Sequence, residues 1–244
     1  MPDAAPTALR VASAFPDPPF EVASDPPSGL DVDLMQAVAR HLGWPYGLHR
    51  YDGVDFEGIY AGLDAGDYDV VTSGATITEH RRTLAHFCTP YLRSGQSLVV
   101  DRTRTPSIRS TADLRGEVVG VQRGNTSEPV VEQLHARGLV GGVKVYDYDA
   151  ILTALDDLAA GTIAAFMKLE PVMRWLTRDR PSLAVVQTGI TDERIASAVR
   201  RTDRALAAAI ERAQRDLAAD GTLAALGRRW LADGDPSATE LMTA

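Results

Sequence analysis

Asp69-Val70-Val71-Thr72-Ser73-Gly74-Ala75-Thr76-Ile77-Thr78-Glu79-His80-Arg81 is the stretch whose reading decides the fold. Its first five residues form a short run with β-branched side chains, which reads as a buried strand. Gly74-Ala75-Thr76 breaks the run and opens it into a loop. Charged residues follow, with Arg81 and Arg82 opening a helix. Open α/β sheets bind ligands on loops of this kind, at the carboxyl ends of their strands.

The same unit recurs outward from this stretch. Residues 9–12 read as a strand, 15–27 as a proline-rich loop, and 46–51 as a second strand. Leu34, Ala37, Val38 and Leu42 recur at helical spacing, and Gly43 ends that helix. Phe56, Ile59, Tyr60 and Leu63 mark another helix, and residues 97–100 another strand. Residues 101–116 are polar and carry turn formers; a new alternation follows. Strands are predicted at 118–121, 143–148, 163–167 and 183–187, and helices near 128–136, 150–160 and 170–177. The tail holds a strand-like segment at 194–199 and helices near 203–219 and 222–231. Alternation of this kind predicts an α/β protein with mostly parallel sheets flanked by helices. The tail carries too few strands to stand alone, so the chain is expected to return to its first lobe. That gives a discontinuous lobe 1 (7–99 plus 193–244), a lobe 2 (100–192), and two crossings that act as a hinge.

A chain of 244 residues with 45% apolar and 24% charged residues buries a core without staples. Its net charge of −8 argues against a nucleic-acid partner, which wants a basic face. The single cysteine, Cys88, forms no intrachain disulfide and reads as a small core residue. The five histidines have no metal-ligand spacing, and neither a metal nor a cofactor is expected. No run of about 18 apolar residues suggests a membrane span. Residues 1–7 lack a basic and an apolar region of signal-peptide type. The expected compartment is therefore periplasmic or extracellular if a signal peptide has been removed, and cytoplasmic if the sequence is complete.

Several motifs together resemble the family 3 extracellular solute-binding proteins. Gly29-Leu30-Asp31-Val32-Asp33-Leu34 is similar to that family's Gly-aromatic-Asp-Val-Asp-Leu signature, and Pro19-Phe20-Glu21 to its Pro-Phe-Glu. The stretch Ser73–Arg81, with Phe87, Pro90 and Tyr91 after it, resembles the Gly-x-Thr-Ile-Thr-x-x-Arg loop and the Phe-Ser-x-Pro-Tyr that follows. Val119-Gly120-Val121-Gln122-Arg123-Gly124-Asn125-Thr126 resembles Val-Gly-Val-Gln-x-Gly-Thr-Thr. The resemblance spans nearly the whole chain. It implies a type II periplasmic-binding-protein fold, the receptor of an amino-acid ABC transporter, with a permease as partner. The receptor would be a monomer that closes its lobes around a small carboxylate ligand.

The resemblance also implies site residues. Arg81 would grip the ligand's α-carboxylate, because a guanidinium offers a planar, bidentate, permanent charge; without the motif it would read as a solvated charge. Ser73, Gly74 and Thr76 would complete that site with backbone N–H groups and a hydroxyl, or form an ordinary turn. Asn125 and Thr126 would answer from the other lobe at a helix N-terminus, or simply cap that helix. Phe56 is either an aromatic wall against the ligand or a core residue. Asp31 and Asp33 read as capping and surface residues.

The chain departs from the family pattern twice. Asp17 stands where an aromatic is usual. Lys168 stands where the family places an ammonium-binding Asp, with Glu170 two residues on. A lysine there repels an ammonium and attracts a second anion, which points to a dicarboxylate or keto acid rather than a simple amino acid, unless Asp17 or Glu170 takes over amine binding. Lys168 and Glu170 also read as a surface pair beside Pro171. A cyclohexadienyl (prephenate/arogenate) dehydratase-like enzyme is the alternative function, with Glu170 or Asp17 as general acid and Lys168 as a second carboxylate anchor. The ligand-sensing domain of a larger receptor is a third.

Overall fold

The computed structural model describes residues 8–231. In chain order these form β1 (Leu9–Ala14), α1 (Leu30–Leu42), β2 (Tyr46–Tyr51), α2 (Ile59–Ala65), β3 (Val70–Val71), α3 (Glu79–Leu84), β4 (His86–Phe87), β5 (Leu92–Ser94), β6 (Gln96–Asp101) and β7 (Val118–Gln122). There follow α4 (Ser127–Ala136), β8 (Gly142–Tyr146), α5 (Ile151–Ala160), β9 (Ala165–Leu169), α6 (Glu170–Thr177), β10 (Leu183–Gln187), β11 (Glu193–Ile195), β12 (Ala198–Val199), α7 (Arg204–Ala219) and α8 (Thr222–Trp230).

These elements divide into two compact units. Unit 1 takes the chain up to Asp52, Gly58–Arg93, and Arg194 onward; unit 2 takes Gly53–Glu57 and Ser94–Glu193. The sequence places residues 53–57 in the first lobe. Here they group with unit 2, where the Tyr148 amide donates to Val54 O at 2.9 Å and the Phe56 amide to Arg123 O at 3.4 Å.

Unit 1 is built on a five-stranded sheet of order β2-β1-β3-β12-β4. β1 runs parallel to β2 and β3, as expected of strands joined by helical crossovers. β12 lies antiparallel to both β3 and β4. It enters from the returning chain rather than from a βαβ crossover, so nothing enforces parallel pairing. The amphipathic α1 buries Leu34, Met35 and Val38 and packs with α7 and α8. Across that packing Trp230 Nε1 donates to Asp33 Oδ2 at 2.8 Å.

Unit 2 has a second five-stranded sheet of order β10-β6-β9-β7-β8. β7 is parallel to β8 and β9, while β6 is antiparallel to β9 and β10. Both sheets are thus mixed, and in each the departure comes from a strand next to a crossing. Leu98, Val100, Val119, Val121, Val131 and Met167 form the core of unit 2. Such continuous apolar strands are what a sheet covered on both faces requires.

Candidate functional site

In unit 1 the loop after β3 is fixed from several directions. Ser73 Oγ accepts from the Ala14 amide at 3.0 Å, tying the loop to the end of β1. Gly74 has φ +53, and a Cβ there would lie 3.0 Å from the Phe20 ring. Its amide donates to Asp31 Oδ2 at 2.6 Å. Thr76 forms an isolated bridge with Ile195, and the Ile77 amide donates to Arg194 O at 2.8 Å.

Arg81 follows on α3, whose N-terminus is capped by Thr78: its Oγ1 accepts from the Arg81 amide at 3.0 Å. The Arg81 side chain is only 2% exposed, whereas Arg82 faces solvent. Arg81 Nη1 donates to Thr76 O at 3.2 Å, and its guanidinium lies 6.0 Å from the centre of the Tyr60 ring. A guanidinium is buried here beside a polar loop, at the carboxyl end of a parallel strand. The reading of Arg81 as a solvated charge is overturned.

Asp31 corrects the sequence reading. It is no surface residue: it is fully buried in the first turn of α1, while Gly29 occupies the cap position. Besides the Gly74 amide it accepts from Tyr91 Oη at 2.6 Å. Burial pushes its carboxyl up to about 7, against the two hydrogen bonds; nearby Asp17 adds to the rise, and a hydrogen bond with Glu21 opposes it. Tyr91 is pushed well above the usual phenol range by burial and by Asp31. Asp17 and Glu21 are buried too, and their backbones are bonded to each other. Asp17 therefore sits with two other carboxyls under the Gly74 loop. Pro-Phe-Glu and Gly-Leu-Asp each announce a family position, but no local signal says that their acids meet.

In unit 2 the turn after β7 plays the corresponding part. Gly124 has φ +74, and a Cβ there would lie 2.1 Å from Asp55 Oδ1 and 3.0 Å from the Phe56 amide. Glycine is required both by the left-handed backbone and by the approach of residues 53–57. The Gly124 amide donates to Glu128 Oε2 at 2.7 Å. Asn125 is occupied within the turn, its amide donating to Gln122 O at 3.2 Å and its Nδ2 to Gln122 Oε1 at 3.3 Å. Thr126 occupies the N-cap of α4, yet its hydroxyl does not cap the helix; it donates to Glu193 Oε2 at 2.8 Å.

Phe56 is buried and packs on Tyr148, ring centres 5.4 Å apart. Lys168, on β9, is 2% exposed, with Nζ 5.2 Å from the centre of the same Tyr148 ring. Glu170, at the start of α6, is also buried, and its Oε1 accepts from Arg174 Nε at 2.7 Å and Nη2 at 2.6 Å. The surface pair of Lys168 with Glu170 is therefore not found: neither reaches solvent, and Glu170 is matched by the arginine one helical turn on. Tyr148, which touches both Phe56 and Lys168, carries no motif and escapes sequence reading.

The structure thus brings Asp17, Ser73, Gly74, Thr76 and Arg81 together in unit 1. It places Phe56, Asn125, Thr126, Lys168 and Glu170 in unit 2. Two α/β units, each presenting polar loops at strand ends and holding one buried cation, define a ligand-binding class of protein. The chain belongs to the bacterial extracellular solute-binding proteins, family 3, which it matches over residues 9–233. It is 31% identical over 216 residues to the L-cystine-binding protein TcyJ of Escherichia coli K12, a match covering 87% of this chain and 78% of that protein. It is 28% identical over 221 residues to ABC transporter arginine-binding protein 1 of the same organism, covering 87% and 86%. Among solved structures, an ancestral arginine-binding protein bound to arginine superposes with a TM-score of 0.85 at 31% identity, covering 94% of this chain and all of that one. An ancestral amino-acid-binding protein described as a precursor of cyclohexadienyl dehydratase gives a TM-score of 0.81 at 26% identity, covering 93% and 96%. No helix among the described residues is long and apolar enough to cross a membrane.

Proposed function

We propose that this chain is the solute receptor of an ABC importer, working outside the cytoplasm as a monomer that hands a small amino acid or related carboxylate to its permease. Arg81 is the residue that carries the reading. A guanidinium is a planar, permanent charge that matches a ligand carboxylate in bidentate form. The hydroxyl and backbone of the Ser73–Thr76 loop complete that end of the ligand, and the Thr126 turn contributes from unit 2. The relatives that bind cystine and arginine support a ligand of the amino-acid class.

Lys168 narrows the class. A lysine at this position repels an ammonium and attracts an anion, which favours a ligand with a second anionic group, such as L-cystine with its two carboxylates. The test is a thermal-shift and calorimetric panel of L-cystine, L-arginine, L-glutamine, dicarboxylates, keto acids and prephenate. A ligand at about a thousand times its dissociation constant adds roughly 4 kcal/mol, which moves the midpoint by several degrees. The expected result is stabilisation by an amino acid, strongest for one with two carboxylates. Lys168→Met should erase the advantage of the second carboxylate while leaving mono-carboxylate binding in place. Stabilisation by L-arginine alone, unchanged in that variant, would remove Lys168 from the site.

The dehydratase alternative draws on one observation, a second buried cation suited to a substrate with two carboxylates. Glu170 is a poor general acid for it, because its carboxylate is already engaged by two charge-assisted bonds from Arg174. Release of phenylpyruvate from prephenate would nevertheless replace the receptor reading by the enzymatic one.

A further inference from the structure

Glu193 is the last residue of unit 2 before the chain returns to unit 1, and Gln96 lies two residues after Ser94, where the long segment of unit 2 begins. The strands at these two crossings, β5 and β11, pair as a two-stranded sheet. Neither residue belongs to any motif read from the sequence. Both are buried, Glu193 at 5% and Gln96 at 1% exposure.

Their side chains meet at Thr126. Glu193 Oε2 accepts from the Thr126 hydroxyl at 2.8 Å. Glu193 Oε1 accepts from Gln96 Nε2 at 2.9 Å and from the Thr191 hydroxyl at 2.7 Å. Gln96 Nε2 donates a second time, to Thr126 Oγ1 at 3.0 Å, and the Gln96 amide donates to Thr191 Oγ1 at 2.8 Å. The network has only one consistent polarity. A carboxylate accepts and never donates, so it turns the NH2 face of Gln96 inward and the hydroxyl protons of Thr126 and Thr191 toward itself. This explains why Thr126, at an N-cap, spends its hydroxyl elsewhere. It also leaves Gln96 Oε1 buried without a hydrogen-bond partner, a cost accepted to satisfy the carboxylate.

We propose that Glu193 is a positioning residue for ligand binding: its carboxylate orients Thr126 and Gln96 and so ties the ligand-binding turn of unit 2 to the two crossings at Arg93–Ser94 and Glu193–Arg194. The proposal rests on the receptor reading, in which the Thr126 turn meets the ligand. A charge buried at a crossing is expensive unless fully hydrogen-bonded. Any shift of the crossing strands that moved Glu193 would break its bond to Thr126, and capture of a ligand at Thr126 would in turn hold Glu193 in place. Binding and the conformation of the crossings are coupled through one carboxylate.

The experiment compares wild type, Glu193→Ala, Glu193→Gln, Thr126→Val and the Glu193→Ala/Thr126→Val double variant. Calorimetry uses L-cystine, L-arginine and L-glutamine as probes, and hydrogen exchange without ligand reads residues 125–130, with α7 as the remote control. Glu193→Ala should weaken the probe that wild type binds by about 10- to 100-fold, the scale of a lost hydrogen bond to a charged group. The double variant should be scarcely weaker than the worse single one, because both remove the same link. Exchange at 125–130 should accelerate while α7 is unchanged. Glu193→Gln, which keeps the shape but turns an NH2 toward one of the donors, should fall between, and serves if the alanine variant does not fold. Unchanged affinity in Glu193→Ala, or additive losses in the double variant, would overturn the proposal and leave the receptor reading intact. If wild type binds none of the three probes, the amino-acid reading fails instead, and unchanged exchange at 125–130 would then dispose of the network as well.

Discussion

The loop after β3 in unit 1 and the turn after β7 in unit 2 are the same device, a strand that opens into a glycine-bearing loop and then a helix. They are held in different ways. In unit 1 the loop rests on buried acids: the Gly74 amide is bonded to Asp31, which Tyr91 also engages. Its buried charge, Arg81, comes from the helix that follows. In unit 2 the turn is held by Glu128, Gln122 and Glu193, and its own backbone sits at the N-terminus of α4. Unit 1 thus offers a point charge, and unit 2 a helix end whose field is weaker and more diffuse. Under the proposed receptor function, this difference predicts that unit 1 supplies affinity for the carboxylate and unit 2 discrimination among what remains of the ligand.

On the unit 1 side, loss of the buried guanidinium should weaken ligand binding most. Arg81→Ala removes a buried, charge-assisted contact and should cost about 2–5 kcal/mol of binding, measured by calorimetry with whichever panel member binds wild type. The folded state should survive, as circular dichroism will check, because Thr78 still caps α3 without the side chain. Unchanged affinity would take Arg81 out of the site and with it the asymmetry between the units.

A smaller effect is expected on the unit 2 side. Gly124→Ala forces a Cβ into a left-handed backbone and against Asp55 and the backbone amide of Phe56. Strain of this kind costs about 1–3 kcal/mol. The loss should appear in the thermal midpoint and in hydrogen exchange at residues 53–57, since that segment must move to admit the methyl group. If midpoint and exchange both stay as in wild type, residues 53–57 do not pack on the turn in solution.

The contrast also shows what was legible in the sequence. The strand-loop-helix units, the expectation of a two-lobed α/β fold and the position of Arg81 all rest on local patterns: apolar runs, turn formers and a motif of fixed spacing. Asp31 reads as a surface cap because capping is a local inference, whereas its buried hydrogen-bond partner, Tyr91, lies 60 residues away. Tyr148, Gln96 and Glu193 were missed for the same reason: each is an unremarkable residue in its own segment and gains a role only from what the fold sets beside it. The mixed sheets escaped because a strand's direction is set by the route of the incoming chain, and β12 and β6 arrive from crossings rather than from helical connections.

The unit 1 loop also differs from the unit 2 turn in resting on a buried anchor, Asp31, whose carboxyl is raised toward neutrality. Asp31 has its carboxyl raised to about 7, chiefly by burial, whereas an unfolded aspartate titrates near 3.8. The folded chain therefore keeps a proton that the unfolded chain gives up. Below about pH 4 both states are protonated and the contribution to stability is fully present. As pH rises toward 7 only the unfolded state loses its proton, so the free energy of unfolding falls, by at most about 1.4 kcal/mol per pH unit for one proton. Above about pH 7 both states are ionised and the loss is complete. Asp17, Glu21, Tyr91 and Tyr46 are the titratable groups that act on or face this carboxyl. Urea denaturation from pH 4.5 to 7.5 should show this downward contribution in wild type, and Asp31→Asn, which cannot ionise, should flatten it. The same carboxylate holds the Gly74 amide, so ligand affinity at the unit 1 loop should follow pH through the same window, while exchange at the unit 2 turn should not. A pH dependence identical in wild type and Asp31→Asn would place the titrating group elsewhere, and the two loops would then differ in charge alone.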